Sequence, residues 1–139
     1  MRKKLDSHIS HDDYLTERDL LEIKKENPSL FFEGEAFRVL MFSHPVDSSS
    51  INIQKDASFS KNLDGIYEYL WKQDLNYYKH LIIYKVDLYG LDINKAAEFY
   101  ESEISYITKK EQEVVPLSIS NITVLKEGSS EIILSELKK

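Results

Sequence analysis

Two glutamates, Glu111 and Glu113, have a spacing that could support chemistry. They stand two residues apart and lead into the apolar run Val114-Val115-Pro116. On an extended backbone, side chains two apart face the same way, which predicts two carboxylates about 7 Å apart along a strand. Repulsion at that range favours one ionised carboxylate and one partly protonated partner, and so a division of labour. A solvated strand edge is the alternative for such a pair taken alone.

Arg38 is the residue best suited to hold a phosphate. It follows Phe37 in a run that is otherwise apolar. Its guanidinium is planar and permanently charged, and it can make a two-pronged contact with a phosphate group. A cofactor with a pyrophosphate would use such a contact. Taken alone, an arginine at this position is more often an exposed strand arginine.

Ser58 and Ser60 supply two hydroxyls that flank Phe59. On a strand the two serines share one face and the phenylalanine takes the other. A hydroxyl can donate and accept, so either serine could orient a carboxylate or contact a ligand. The alternative is that Ser60 or Asn62 only caps the helix that follows.

Three predicted elements would position these residues. A strand is expected over residues 36–43, after a turn at 33–35, and it carries Arg38 on a face with Ala36 and Leu40. A short strand over residues 57–60 carries the serines. A helix over residues 63–73 follows, with apolar side chains on one face.

The remaining elements complete a small mixed domain. Thr16 and Asp19 predict a helix that ends near Asn27. Residues 80–89 alternate as a strand that we expect to be central, and Asp92 can cap a helix that continues to residue 100. A loop over residues 102–110 leads to the two glutamates, and residues 119–125 and 131–137 flank a turn segment that indicates a closing hairpin.

Composition limits the classes of function. The chain has 139 residues, no cysteine and a formal charge of −6, which fits one domain and argues against a nucleic-acid partner. No apolar stretch approaches the length of a membrane span, and the four histidines lack ligand spacing, so we expect neither membrane nor metal binding. Without an export signal or disulfides, a cytoplasmic location is expected, although action in a host or target cell stays open.

In this order, Phe37-Arg38, Ser58-Phe59-Ser60 and the Glu-x-Glu of Glu111 and Glu113 resemble the motifs of the R-S-E class of mono-ADP-ribosyltransferases, which includes bacterial toxins and phage enzymes. The resemblance covers residues 31–137. This chain departs from the class at Val39, where glycine is common, and at Phe59, where threonine is common. Residues 1–30 would form a polar segment and flanking helix, and residues 31–139 the NAD-binding domain.

The resemblance implies an α+β fold with two small, mainly antiparallel sheets packed face to face and NAD in the cleft between them. Glu113 would stabilise the cationic ribose and Glu111 would activate an arginine of a target protein. Arg38 would bind the pyrophosphate and Ser58 would orient Glu113, with Phe59 and Ser60 beside the cofactor.

Three points stay open from the sequence. Tyr106 is either a docking residue for the target or a packed loop aromatic. Water in place of the protein acceptor would make the chain an NAD glycohydrolase, for which Glu111 matters little. A catalytically inactive binding module, such as an inhibitor, immunity protein or phage decoy, is the alternative outside enzymes.

Overall fold

The computed structural model describes residues 15–54, 57–101 and 109–138. These residues form a mixed α+β fold with four α-helices, four strands and two short 3-10 helices. In chain order the helices and strands are α1 (Glu17–Glu26), β1 (Phe31–Phe42), β2 (Phe59–Ser60), α2 (Leu63–Leu70), β3 (His80–Asp92), α3 (Ile93–Phe99), β4 (Glu113–Ser129) and α4 (Ser130–Lys138).

The four strands form one antiparallel sheet that closes on itself. Strand β3 pairs with β1 along one edge and with β4 along the other, and the two-residue β2 bridges β1 and β4. The two separate sheets expected from the resemblance are therefore absent among the described residues. The physical reason is the length of β3, which pairs on both sides over its whole length, while three register shifts against β4 add the local bend and twist that bulges produce.

Strand β3 is the centre of the fold, as predicted. Leu81 and Ile83 pack beneath α2 and α4, whereas Val86 and Leu88 pack with Phe59 in a second cluster. A strand covered on both faces carries consecutive apolar residues. This explains the near-continuous buried run of β3.

The first and third helices begin at the residues that the sequence indicated. Thr16 caps α1 in a reciprocal capping box with Asp19, and Asp92 caps α3 by accepting a hydrogen bond from the Lys95 amide. Helix α1 then buries Leu20 and Ile23 in a cluster with α3, so residues 15–30 pack onto the body of the protein. In the part of the chain that the structure describes, no helix is long and apolar enough to cross a membrane.

Two local predictions were wrong. The turn expected at residues 33–35 lies inside β1, where Gly34 pairs with Leu88. The closing hairpin is instead one long strand, β4, followed by α4. Gly128 suggested a turn, but it pairs with Leu81 in the sheet, and Ile133 and Leu137 have the spacing of one helix face and pack in the core.

Asp92 is almost fully buried, and its charge is paired with Lys61. Its side chain is 2% exposed, and Oδ2 lies 2.7 Å from Nζ of Lys61, which is 22% exposed. The ion pair joins the residue after β2 to the start of α3. A buried carboxylate that loses its cation is strongly destabilising, in contrast to an exposed ion pair.

We therefore expect Lys61→Met to lower the free energy of unfolding by about 1.5–3 kcal/mol. The matched control is Lys85→Met, which breaks the more exposed pair with Glu35 at 3.4 Å and should change stability by less than about 0.5 kcal/mol. Urea denaturation of both variants measures the difference. Equal changes in the free energy of unfolding would show that the Lys61–Asp92 pair stabilises the fold no more than an exposed ion pair does.

Candidate functional site

Arg38, Ser58 and Glu113 meet in one hydrogen-bonded chain. Nη1 of Arg38 donates to the backbone carbonyl of Ser58 at 2.9 Å, and Oγ of Ser58 donates to Oε2 of Glu113 at 2.5 Å. The three residues are 20 and 55 positions apart along the sequence. The fold thus brings together the three elements that the sequence singled out.

Strand β2 is the element that makes this meeting possible. Phe37 pairs with Ser60, and Ser60 pairs with Glu113, so the residues beside β2 lie between β1 and β4. Arg38 follows Phe37 on β1, Glu113 opens β4, and Ser58 directly precedes β2. Backbone pairing therefore sets the positions of all three side chains.

The environment of Glu113 favours its protonated form. Burial raises the pKa of Glu113, because a charge removed from water loses its hydration. The hydrogen bond from Ser58 opposes this effect, the negative charge of Glu111 adds to it, and the positive charge of Lys72 opposes it. A shifted carboxyl group beside a charged partner is typical of functional sites.

Glu111 lies beside Glu113, but the two do not share an extended strand. Strand β4 begins at Glu113, and Gln112 has a left-handed backbone with φ of 55°. The prediction of an extended backbone across the pair was therefore wrong. The turn persists because the Lys61 amide donates to the Gln112 carbonyl, and the hydroxyl of Ser60 lies 2.8 Å from the Glu111 carbonyl.

Lys72 is a site residue that the sequence did not indicate. Its Nζ lies 2.6 Å from Oε1 of Glu111, with the lysine side chain 38% exposed and the glutamate 17% exposed. Lys72 lies in the turn that follows α2, where the helix dipole favours a cation. The two residues are far apart in sequence, and no local pattern connects them.

Ser60 and Phe59 are both buried. Oγ of Ser60 lies 2.8 Å from the carbonyl oxygens of Asn62 and Glu111, and its single hydrogen can be donated to one of them at a time. Phe59 packs in the core and is 3% exposed. In the described structure, Ser60 therefore positions the Glu111 backbone, and Phe59 anchors β2. Their predicted contact with NAD stays a prediction.

Gly65 allows α2 to approach the site. A Cβ atom at this position would lie 2.0 Å from Oγ of Ser60 and 2.2 Å from the carbonyl oxygen of Glu111. No side chain larger than hydrogen fits without moving these groups. A glycine inside a predicted helix costs about 1 kcal/mol relative to alanine, and this unfavourable choice was the signal in the sequence that could have revealed the contact.

Two further sequence expectations concern Tyr106 and metal binding. Tyr106 lies outside the described residues. Within residues 15–54, 57–101 and 109–138, no group of three or more histidine, aspartate or glutamate side chains is placed to hold a metal ion.

Compared with known proteins, the chain matches no family model, no curated protein and no solved structure. Its function has to be inferred from the geometry of the site.

The raised pKa of Glu113 predicts that Glu113→Gln stabilises the protein at neutral pH. In the wild type, a raised folded-state pKa means that stability falls as pH rises from the ordinary glutamate value through the pKa of the folded state. The glutamine removes that loss and can still accept the Ser58 hydrogen bond. We expect the melting temperature to rise by about 2–5 °C at pH 7, and the gain to vanish below about pH 4, where the glutamate is protonated in both states.

Thermal melts from pH 3.5 to 8 measure this difference. The matched control is Glu98→Gln on the exposed side of α3, for which we expect little change across the range. A Glu113→Gln protein that is less stable than the wild type at pH 7 would contradict the prediction.

Proposed function

We propose that this protein is a mono-ADP-ribosyltransferase of the R-S-E class, which cleaves NAD at the bond between nicotinamide and ribose and transfers ADP-ribose to a protein arginine. The observation that supports this proposal is the hydrogen-bonded chain from Arg38 through Ser58 to Glu113. The chain links an arginine, which can bind the pyrophosphate of NAD, to a partly buried carboxylate, which can stabilise a cationic ribose.

Glu113 would act on the ribose. When the glycosidic bond breaks, its electron pair leaves with nicotinamide and positive charge develops on the sugar. A fixed, ionised carboxylate stabilises that charge in a site from which water is partly excluded. The raised pKa of Glu113 implies that cleavage is weakened on the acid side, where the carboxyl group is protonated.

Ser58 would keep the Glu113 carboxylate in a fixed orientation. Its hydroxyl donates to one carboxylate oxygen, and its carbonyl accepts from Arg38. A guanidinium has five N–H donors, and one of them ties Arg38 to the residue that orients Glu113. The pyrophosphate would therefore be bound close to the carboxylate that acts on the ribose.

Glu111 would accept the proton of the incoming nucleophile. It lies close enough to Glu113 for its charge to raise the Glu113 pKa, so both carboxylates would serve one reaction centre. The nitrogen of the acceptor would form a bond to the ribose carbon as it loses a proton to Glu111.

The Lys72–Glu111 ion pair favours a second candidate function. While Glu111 is paired with Lys72, the lysine repels a cationic protein acceptor, and water could attack the ribose instead. The protein would then be an NAD glycohydrolase that uses the same Arg38, Ser58 and Glu113.

The proposal is tested by incubating the purified protein with labelled NAD and a cell lysate. We expect nicotinamide release together with label on protein, and we expect Glu113→Gln to reduce both by about 10²- to 10³-fold, because the amide cannot balance the developing positive charge. Glu98→Gln serves as the control with normal activity. Release without label would favour the glycohydrolase, and absence of release from the wild type would favour a binding module.

A second prediction concerns Arg38 and NAD binding. NAD should raise the melting temperature by mass action, and Arg38→Ala should remove most of that rise. Arg38→Lys should restore only part of it, because an ammonium cannot make the two-pronged contact. The matched control is Arg18→Ala, on the exposed surface of α1, which should keep the full NAD-induced rise. An unchanged rise in Arg38→Ala would assign the arginine a structural role.

A further inference from the structure

The Lys72–Glu111 ion pair places a cation on the carboxylate that the proposed reaction needs for its acceptor. Nζ of Lys72 lies 2.6 Å from Oε1 of Glu111. An acceptor arginine would bring its own positive charge to the same carboxylate. The two cations repel each other at that range, so binding of either one to the carboxylate weakens binding of the other.

The backbone of Glu111 is held by neighbouring residues, whereas its cationic partner is the end of a long, partly exposed side chain. The Glu111 carbonyl is held by Ser60, and Gly65 packs directly against it. Lys72, in contrast, lies in a turn after α2 and is 38% exposed. Its long side chain can leave for solvent by rotation about its own bonds.

We propose that Lys72 is an internal competitor for the acceptor-binding position on Glu111, and that a guanidinium of the target protein displaces it. This inference rests on the proposed function. It makes Lys72 a specificity-determining residue, because only an acceptor that replaces the lost ion pair can bind without leaving Glu111 unpaired. A planar guanidinium can do so with two parallel hydrogen bonds, which one ammonium cannot make.

The size of the expected effect follows from the exposure of the pair. A partly exposed ion pair is held by a small free energy, so Lys72 would occupy Glu111 for most but not all of the time. Apparent affinity falls in proportion to the fraction of competent molecules. We therefore expect removal of Lys72 to tighten binding of a guanidinium ligand by about threefold to fivefold.

The test uses agmatine, a small guanidinium compound, as the probe. Its dissociation constant is measured by NMR titration of ¹⁵N-labelled protein, with the amides of Gly65 and Gln112 as reporters. We expect tighter binding to Lys72→Met than to the wild type, and weaker binding to Lys72→Arg, whose guanidinium competes better for Glu111. Glu111→Gln in the Lys72→Met background should abolish the gain.

The matched control is Lys126→Met, which breaks the ion pair with Glu136 at 3.2 Å and should leave agmatine binding unchanged. Equal or weaker binding of agmatine to Lys72→Met than to the wild type would overturn the inference. So would a gain that survives Glu111→Gln.

The binding test and the activity test can fail independently. A wild type that releases no nicotinamide would refute the proposed function, while agmatine binding in the order Lys72→Met, wild type, Lys72→Arg would still establish the cation position on Glu111. A wild type that labels protein arginine, combined with unchanged agmatine binding in both Lys72 variants, would keep the proposed function and refute the role of Lys72.

Discussion

The closure of the sheet by two residues is the constraint on which the site depends. Strand β2 has only Phe59 and Ser60, yet it pairs with β1 on one side and β4 on the other. Such a short strand contributes few hydrogen bonds, so its position has to come from packing. Phe59 provides it by inserting among Ala36, Val86 and Val114. Burial of one phenylalanine side chain is worth about 1.5–3 kcal/mol, which offsets much of the about 2–4 kcal/mol of backbone entropy lost when two residues are ordered.

Several features around the site are unfavourable for stability. Glu113 carries a carboxylate in a place where burial favours the neutral form. Gln112 has a left-handed backbone, which costs a non-glycine residue about 1–3 kcal/mol when the surroundings enforce it. A large hydrophobic cluster lies elsewhere, between β3 and the helices packed on it. Strained backbone and buried carboxylates cluster at functional sites, although Asp92 shows that a buried charge can also be structural.

The sequence predicted the features of this fold that are set by local interactions. The capping box at Thr16, the Asp92 cap and the apolar run of β3 are each determined within a few residues, and each was found where expected. The C-terminal hairpin failed because Gly128 is compatible with both a turn and a strand, and pairing with a distant part of β3 decides between them. The residue type alone therefore does not show whether Gly128 lies in a turn or in a strand.

Within the site, the same distinction separates what was predicted from what was missed. The types of Arg38, Ser58 and Glu113 carry chemical meaning on their own, so they could be selected before their contacts were known. Nothing in the sequence separates Lys72 from the other lysines. Only the packing of α2 against the Glu111 backbone brings it to the site. The left-handed turn at Gln112 was equally hidden, since it is held by hydrogen bonds from Ser60 and Lys61.

The charges of Lys72 and Glu111 both act on the pKa of Glu113, and the spacing of residues in the sequence does not reveal this. Lys72 lowers the pKa of Glu113, and Glu111 raises it. If a neutral group replaced the lysine, Glu113 would face Glu111 without a compensating cation and would take up a proton more readily. An arginine that replaces the lysine brings an equal charge to the same place, and so keeps the same lowering effect on the Glu113 pKa while the ribose becomes cationic. In the proposed reaction, an acceptor arginine that replaces Lys72 at Glu111 would therefore leave the electrostatic stabilisation of the transition state intact.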